Sequence, residues 1–344
     1  MAFPTATPRV VSLGVHIVDI LGRPVTGIPP GQNVIVLDEI RVTAAGTAAG
    51  TSVDLAKLGA EVIAMGAIGD DELADFLVFL MSRHGVDTGR LARKQTAQTS
   101  STILPIRPNG ERPALHVPGA SPLLAIDDID LDAVAASDVL HVGAPDVLER
   151  FTRESLFRVL EVAKANDVVV TVDLLYAGQP ATLELLRPLL PLIDYFMPNA
   201  EQLCALMNVD DLHAAVAGVR SICSTTVVVK MGAEGSMLAA DGPPVRIPAL
   251  PVEVIDTTGC GDAYTAGFIV GLARGWSPLA AAWLGSATGG LVATGLGSDA
   301  GIIDFPTTVK FLTTAAAKLS DIELPAEVLL AMEAPIPAGG GVSS

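Results

Sequence analysis

The chain has 344 residues, half of them apolar, with 21 basic against 38 acidic side chains and a net charge of −17. That excess of negative charge argues against nucleic acid or an anionic membrane as partner. It leaves room for a phosphate ligand, because local N–H groups and a bound cation outweigh the global field.

Residues 1–8 lack a basic region followed by an apolar run, so no secretory signal is expected. Three cysteines (Cys204, Cys223, Cys260) without C-x-x-C spacing fit a reducing, cytoplasmic setting and no zinc site. Residues 10–14 read as a strand ending at Gly14, and 15–22 follow with Asp19 inside what reads as a loop. Partial alternation over 33–43 predicts strands with an exposed face. The small-residue stretch 45–50 reads as a loop, and 52–58 as a helix closed by Gly59. A strand is expected over 61–68, then a helix opened by Asp70, Asp71 and Glu72 and running to Gly85. Asn109-Gly110 between the strand-like runs 99–106 and 114–117 is a hairpin signal.

From Asp138 onwards strand and helix alternate. Strands are expected at 139–142, 168–173, 195–197 and 226–231, and helices at 147–165, 183–190 and from Pro198. Such alternation implies βαβ units and a mainly parallel sheet, whose ligands bind beyond the strand C-termini. Gly14, Asp173, Asn199, Gly232 and the turn 256–262 are all expected at such ends. The uncharged stretch 275–298 contains Pro278 and several Gly and Ser, so it reads as part of a buried Ala/Gly-rich helix pair and not as a membrane span. A further helix is expected over 306–318, and the Pro/Gly/Ser-rich tail 335–344 is expected to be disordered.

The stretch around which the rest is organised is Asp256-Thr257-Thr258-Gly259-Cys260-Gly261-Asp262, between the apolar run 251–255 and a helix-like run from Ala263. A glycine-rich turn opening a helix is an anion site: the glycines permit close approach, and the first-turn N–H groups and the helix dipole face negative charge. Asp262 is unexpected for anion binding alone; it fits a base that takes a hydroxyl proton beside a transferring phosphate. A plain helix cap would explain one Asp–Gly pair, but not two glycines, two threonines and two acids in seven residues. A Walker A loop is absent, and Tyr264 stands where a dinucleotide fingerprint needs glycine.

The stretch resembles the D-T-x-G-x-G-D signature of ribokinase-like (PfkB) sugar and nucleoside kinases, and the order of motifs extends the resemblance over about residues 10–315. It implies a three-layer α/β/α fold with a mainly parallel central sheet, in a kinase domain spanning 9–320 with a small β-sheet lid from segments 15–44 and 97–118. It implies Asp262 as catalytic base and the backbone of Gly259, Cys260 and Gly261 as anion hole. Asp19 would bind substrate hydroxyls, with Gly46, Thr47 and Gly50 in the substrate loop. Lys230, Gly232, Gly235 and Asn199 would line the nucleotide. Mg²⁺ would be served by Glu201, and a monovalent cation such as K⁺ by Asp256 and Thr258.

Five residues depart from the family pattern. Ala45 replaces a glycine and Gly50 an asparagine of the substrate loop, so the substrate is expected to be bulkier or differently substituted, or Thr47 or Thr51 to supply the contact. Gln202 stands where the family has Glu, and Leu175 and Ala177 replace the Asn and Arg of a D-x-N-x-R pattern headed by Asp173. The expected activity is ATP-dependent phosphorylation of a primary hydroxyl of a sugar or polyol, with a lid-mediated homodimer as partner. A nucleoside kinase and a non-catalytic sensor are the alternatives.

Overall fold

The computed structural model describes residues 7–176, 180–320 and 322–333; the tail expected at 335–344 lies outside them. The first half of the chain gives β1 (Arg9–Gly14), β2 (Ile17–Arg23), β3 (Glu39–Ala45), α1 (Ala49–Lys57), β4 (Glu61–Gly69), α2 (Glu72–Ser82), β5 (Asp87–Lys94), β6 (Ser101–Pro105), β7 (Leu115–Val117), α3 (Leu131–Ala135), β8 (Val139–Gly143) and α4 (Arg153–Ala165). Then come β9 (Val169–Asp173), α5 (Pro180–Leu186), β10 (Tyr195–Phe196), α6 (Ala200–Met207), α7 (Leu212–Arg220), β11 (Thr226–Lys230), β12 (Ser236–Ala239) and β13 (Val245–Ile247). Four helices end the described chain: α8 (Cys260–Ala273), α9 (Pro278–Val292), α10 (Phe305–Ala316) and α11 (Ala326–Glu333).

Nine strands form the central sheet in the order β13-β12-β11-β10-β9-β8-β1-β4-β5, parallel apart from the antiparallel pairings of β12 and β13. Its middle strands are buried throughout; every residue of β8 and β9 is. A strand covered on both faces reads as a continuous apolar run, as Val227-Val228-Val229 of β11 does. One face packs on α3 to α7, through Val134, Leu156, Leu160, Leu186, Leu203 and Val216. The other packs on α1, α2 and α8 to α10, through Val53, Leu77, Ile269, Leu284 and Val309. A second, four-stranded sheet has the order β3-β2-β6-β7.

The structure corrects several sequence expectations. Asp19 sits within strand β2, not in a loop. Of the run 33–43 only the part from Glu39 is strand, and Val34 and Val36 lie exposed without a ladder. The helix expected from 147 begins at Arg153, because the Thr152 hydroxyl caps it by accepting from the Ser155 N–H. Strand β5 is a charged edge strand whose Asp, Arg and Lys side chains conceal its pattern while discouraging edge pairing. The run 251–255 forms no strand at all, so the 256–262 turn does not follow a sheet strand. It is tethered instead to the end of α9, where the Ile255 N–H donates to the Ala293 carbonyl at 2.8 Å.

Candidate active site

The carboxyl ends of the parallel strands set the floor. β1, β8 and β9 end in register, with Gly14 opposite Gly143 and Gly143 opposite Asp173. Asn199, just past β10, bridges Lys230 at the end of β11. Above this edge stands the N-terminus of α8. Gly259 caps it at φ +77°, and a Cβ there would come within 2.4 Å of the Ser298 Cα, so the position accepts only glycine. The first N–H groups of a helix have no carbonyl a turn earlier to bond; the Cys260 N–H makes only a long 3.4 Å contact to the Thr257 carbonyl.

Asp256 holds the turn. One of its carboxylate oxygens accepts from the Thr258 N–H and hydroxyl at 3.0 and 2.8 Å, and the other from the Gly297 N–H at 3.0 Å. The loop at 294–301 thereby fastens the turn to the small sheet: the Ser298 hydroxyl donates to the Ala44 carbonyl at 2.6 Å, and Arg41 of β3 pairs with Asp299 at 2.8 Å.

Asp262 lies in the first turn of α8. Burial raises its pKa to about 7, the charges of Asp173 and Asp19 act in the same direction, and Lys230 and Arg112 oppose them. At neutral pH it is poised between acid and base, the range in which a carboxylate takes a proton most usefully. Its carboxylate rests against α1: a Cβ on Gly50 would lie 3.1 Å from its Oδ2. Beneath it, Lys230 Nζ forms an ion pair with Asp173 and lies 3.4 Å from where a Cβ of Gly261 would be, which puts its charge beside the opening backbone of α8. Asp173 also accepts from the Leu174 N–H at 2.8 Å and the Thr265 hydroxyl at 3.3 Å. The Cys260 thiol is pushed up to about 12, mainly by burial, and stays neutral.

On the opposite wall, Asp19 of β2 pairs in register with Thr43 and Thr102, so all three point to one face of the small sheet. Burial raises its pKa to about 6, while Thr102 and Arg112 act to lower it. Gly46, at φ +87°, lies so close to the Val15 carbonyl that a Cβ would stand 2.7 Å from it. The Thr47 carbonyl accepts from His141 Nε2 at 2.9 Å, so His141 Nδ1 is an acceptor for the Thr171 hydroxyl at 3.0 Å. Burial lowers the His141 pKa to about 4, so this imidazole is neutral. The Thr47 hydroxyl itself is buried without a partner among the described residues.

A family model for the pfkB family of carbohydrate kinases matches residues 8–304. The chain belongs to that family. A fructokinase from Klebsiella pneumoniae is 28% identical over 234 residues, covering 66% of this chain and 76% of its own. A 5-dehydro-2-deoxygluconokinase from Clostridium perfringens is 25% identical over 276 residues, 72% of this chain and 77% of its own. Ribokinase from Arabidopsis thaliana, solved with ribose and ATP, superposes with a TM-score of 0.75 at 24% identity, over 90% of this chain and 99% of its own. A protein assigned as ribokinase II from E. coli, solved with ATP and Mg²⁺, gives 0.78 at 20% identity over the same shares. The chain is thus an ATP-dependent kinase of the sugar and nucleoside kinase family, and its three-layer fold with a smaller sheet is the one expected.

Within the kinase, the expected site residues fall into three groups. Asp262, Gly259, Cys260, Gly261, Gly50 and Lys230 come together around one point. Asp19, Gly46 and Thr47 line the side facing it. Asn199, Gly232 and Gly235 stand at the ends of β10 and β11, with open space around Gly232. Glu201 is exposed on the first turn of α6. Thr51 is no substitute for the missing asparagine: it is fully buried, and its hydroxyl donates to the Asp262 carbonyl at 3.4 Å. Nor does Gly50 open space for a bulkier substrate, because the Asp262 carboxylate occupies it.

Gln202 has a structural reason to differ from Glu. Its Oε1 accepts from the Asn199 N–H at 2.8 Å while its Nε2 donates to the Leu174 and Leu175 carbonyls at 2.9 and 3.0 Å. A carboxylate has no hydrogen to donate to them. Sequence reasoning missed the Asp173–Lys230 pair, Thr265, Thr102 and Arg112. Asp173 and Lys230 were visible as strand-end residues, but their mutual contact was not.

Proposed function

We propose that the kinase transfers the γ-phosphate of ATP to a primary hydroxyl of a sugar or related polyol. Asp262 takes the hydroxyl proton, and the freed oxygen attacks the phosphorus in line. The N–H groups of Gly259, Cys260 and Gly261 receive the charge of the transferring group, with Lys230 beside them. Asp19 holds the acceptor, since a carboxylate accepts two hydroxyl hydrogen bonds, with the substrate loop of Gly46 and Thr47 beside it. The observation that carries this reading is the poised Asp262 carboxyl at the mouth of a glycine-capped helix N-terminus.

Mg²⁺ needs only one or two protein carboxylates when phosphates supply the rest, and Glu201 near Asn199 fits that part; when bound, it offsets charge across the phosphates. A monovalent cation at Asp256 and Thr258 is supported by a buried carboxylate that has no Lys, Arg or His within 4 Å among the described residues. Segments 15–44 and 97–118 act in this reading as a lid. The exposed Ile40, Ile103 and Leu115 on it favour a homodimer through the lid, which light scattering would test. A cytoplasmic setting is part of the same reading, supported by three free cysteines; among the described residues no helix is long and apolar enough to cross a membrane.

The test is ATP turnover with Mg²⁺ and K⁺ against sugars, sugar acids and nucleosides, alongside Asp262→Asn. Turnover on a sugar or polyol, reduced by ~10² or more in the variant, is expected for loss of a general base. Near-normal turnover in the variant would refute the mechanism. Turnover on nucleosides alone would move the acceptor class, and ligand binding without turnover would favour a sensor.

A further inference from the structure

Asp54 takes no part in the turn, the anion hole or the acceptor wall. It lies on α1 four residues beyond Gly50, so the two share a helix face and stand about 6 Å apart. At Gly50 that face meets the Asp262 carboxylate. At Asp54 it carries a carboxyl group with no solvent exposure, neither of whose oxygens has a hydrogen-bond partner among the described residues.

The charged and titratable groups around it come from several elements. Lys57 is on its own helix, Asp262 and Cys260 are on α8, and Asp299 is on the loop after α9. Lys57 does not neutralise it by contact, since its Nζ donates to the Asp299 carbonyl at 2.6 Å and carboxylate at 3.0 Å. Arg41 of β3, at 2.8 Å, and His84 beyond the end of α2, at 3.8 Å, also converge on Asp299. An ionised Asp54 would be unsolvated, unbonded and close to two other carboxylates. The neutral acid is the form that fits. Burial holds the proton on Asp54 well above the ordinary range; Lys57 opposes this, and Asp299 and Asp262 reinforce it.

Resting on the reading of Asp262 as base, we infer that Asp54 is a positioning residue for the reaction, which acts as the neutral acid and whose ionisation sets a second negative charge beside the base and closes down phosphoryl transfer. An uncharged acid leaves the field of Lys230 and the α8 N-terminus to act on the phosphate; an ionised one competes with it.

Two pH series test this on the full chain. The first is kcat from pH 5 to 10 for wild type, Asp54→Asn and Asp54→Ala, with the best acceptor from the panel and ATP. Wild type is expected to show an acid and an alkaline limb. Both variants should keep the acid limb and lose or displace the alkaline one, with kcat ~10-fold above wild type at the alkaline end for each unit of displacement. The second series measures Tm over pH 4 to 9 and needs no turnover. A carboxyl whose folded pKa is raised contributes stability below its unfolded pKa and loses it as pH rises towards the folded value. The Tm of the variants relative to wild type should therefore climb with pH. An unchanged alkaline limb in a folded variant, or a Tm difference flat with pH, would overturn the inference. Failure of the base reading shows separately, as an active Asp262→Asn.

Discussion

On the side we propose for the phosphate the backbone holds the geometry: Gly259 at φ +77°, the opening N–H groups of α8, and the Asp256 carboxylate tying the turn to Gly297. On the proposed acceptor side, side chains from separate segments do it: Asp19 and Thr102 on two strands of the small sheet, beside the loop of Gly46 and Thr47 before α1. A backbone site tolerates few residue types and reads as a local motif. A side-chain wall can be rebuilt position by position, so related kinases can share the first and differ in the second. Substitutions on the two sides should therefore fail in different ways.

The largest effect on the phosphate side is expected from Lys230→Met. It leaves Asp173 buried without its partner, at a cost of about 3–5 kcal/mol for a broken buried pair, measurable by denaturant unfolding; a loss under ~1 kcal/mol would mean that the pair is solvated in solution. Gly259→Ala comes next. A left-handed residue with its Cβ against Ser298 should lose about 1–3 kcal/mol and most of its kcat, while KM for the acceptor changes little. A raised KM with intact kcat would show that the two sides are not separable.

A smaller change links the sides through Asp262. Activity should fall as pH drops through about 7, as its carboxylate takes up a proton. Asp173→Asn removes the largest charge raising that pKa, so its acid limb should move to lower pH in a rate profile; a shift upwards would reverse the assigned electrostatics. Gln202→Glu is expected to change turnover least, although its stability cost is like that of Gly259→Ala. It forfeits two donations to the Leu174 and Leu175 carbonyls and should cost about 1–3 kcal/mol in Tm-derived stability, with nucleotide KM nearly unchanged. A large gain in Mg²⁺ affinity would instead assign position 202 to the metal.

Local chemistry made much of this legible in advance. Strands β8, β9 and β11 are short, mostly apolar and rich in valine, α8 begins at its glycines, and the β6–β7 hairpin pairs Ser101 with Val117 around Asn109-Gly110. Edge strand β5 and the β12–β13 hairpin were not legible, because exposed charged or short strands lack an apolar period. The surroundings of Thr51, one of the alternatives for the missing contact, were not legible either: helix α1 turns it inward, where its hydroxyl donates to the Asp262 carbonyl.

The sequence by itself determined the parallel α/β architecture, the glycine-capped turn and the acid at its mouth, since each depends on residues adjacent in the chain. Only the tertiary structure decided what faces that acid: Gly50 from α1, Lys230 and Asp173 from two strand ends, and the unpartnered Asp54 one turn below. The basicity of Asp262 is set by burial and by charges scores of residues away in sequence, and only folding brings them to the same place.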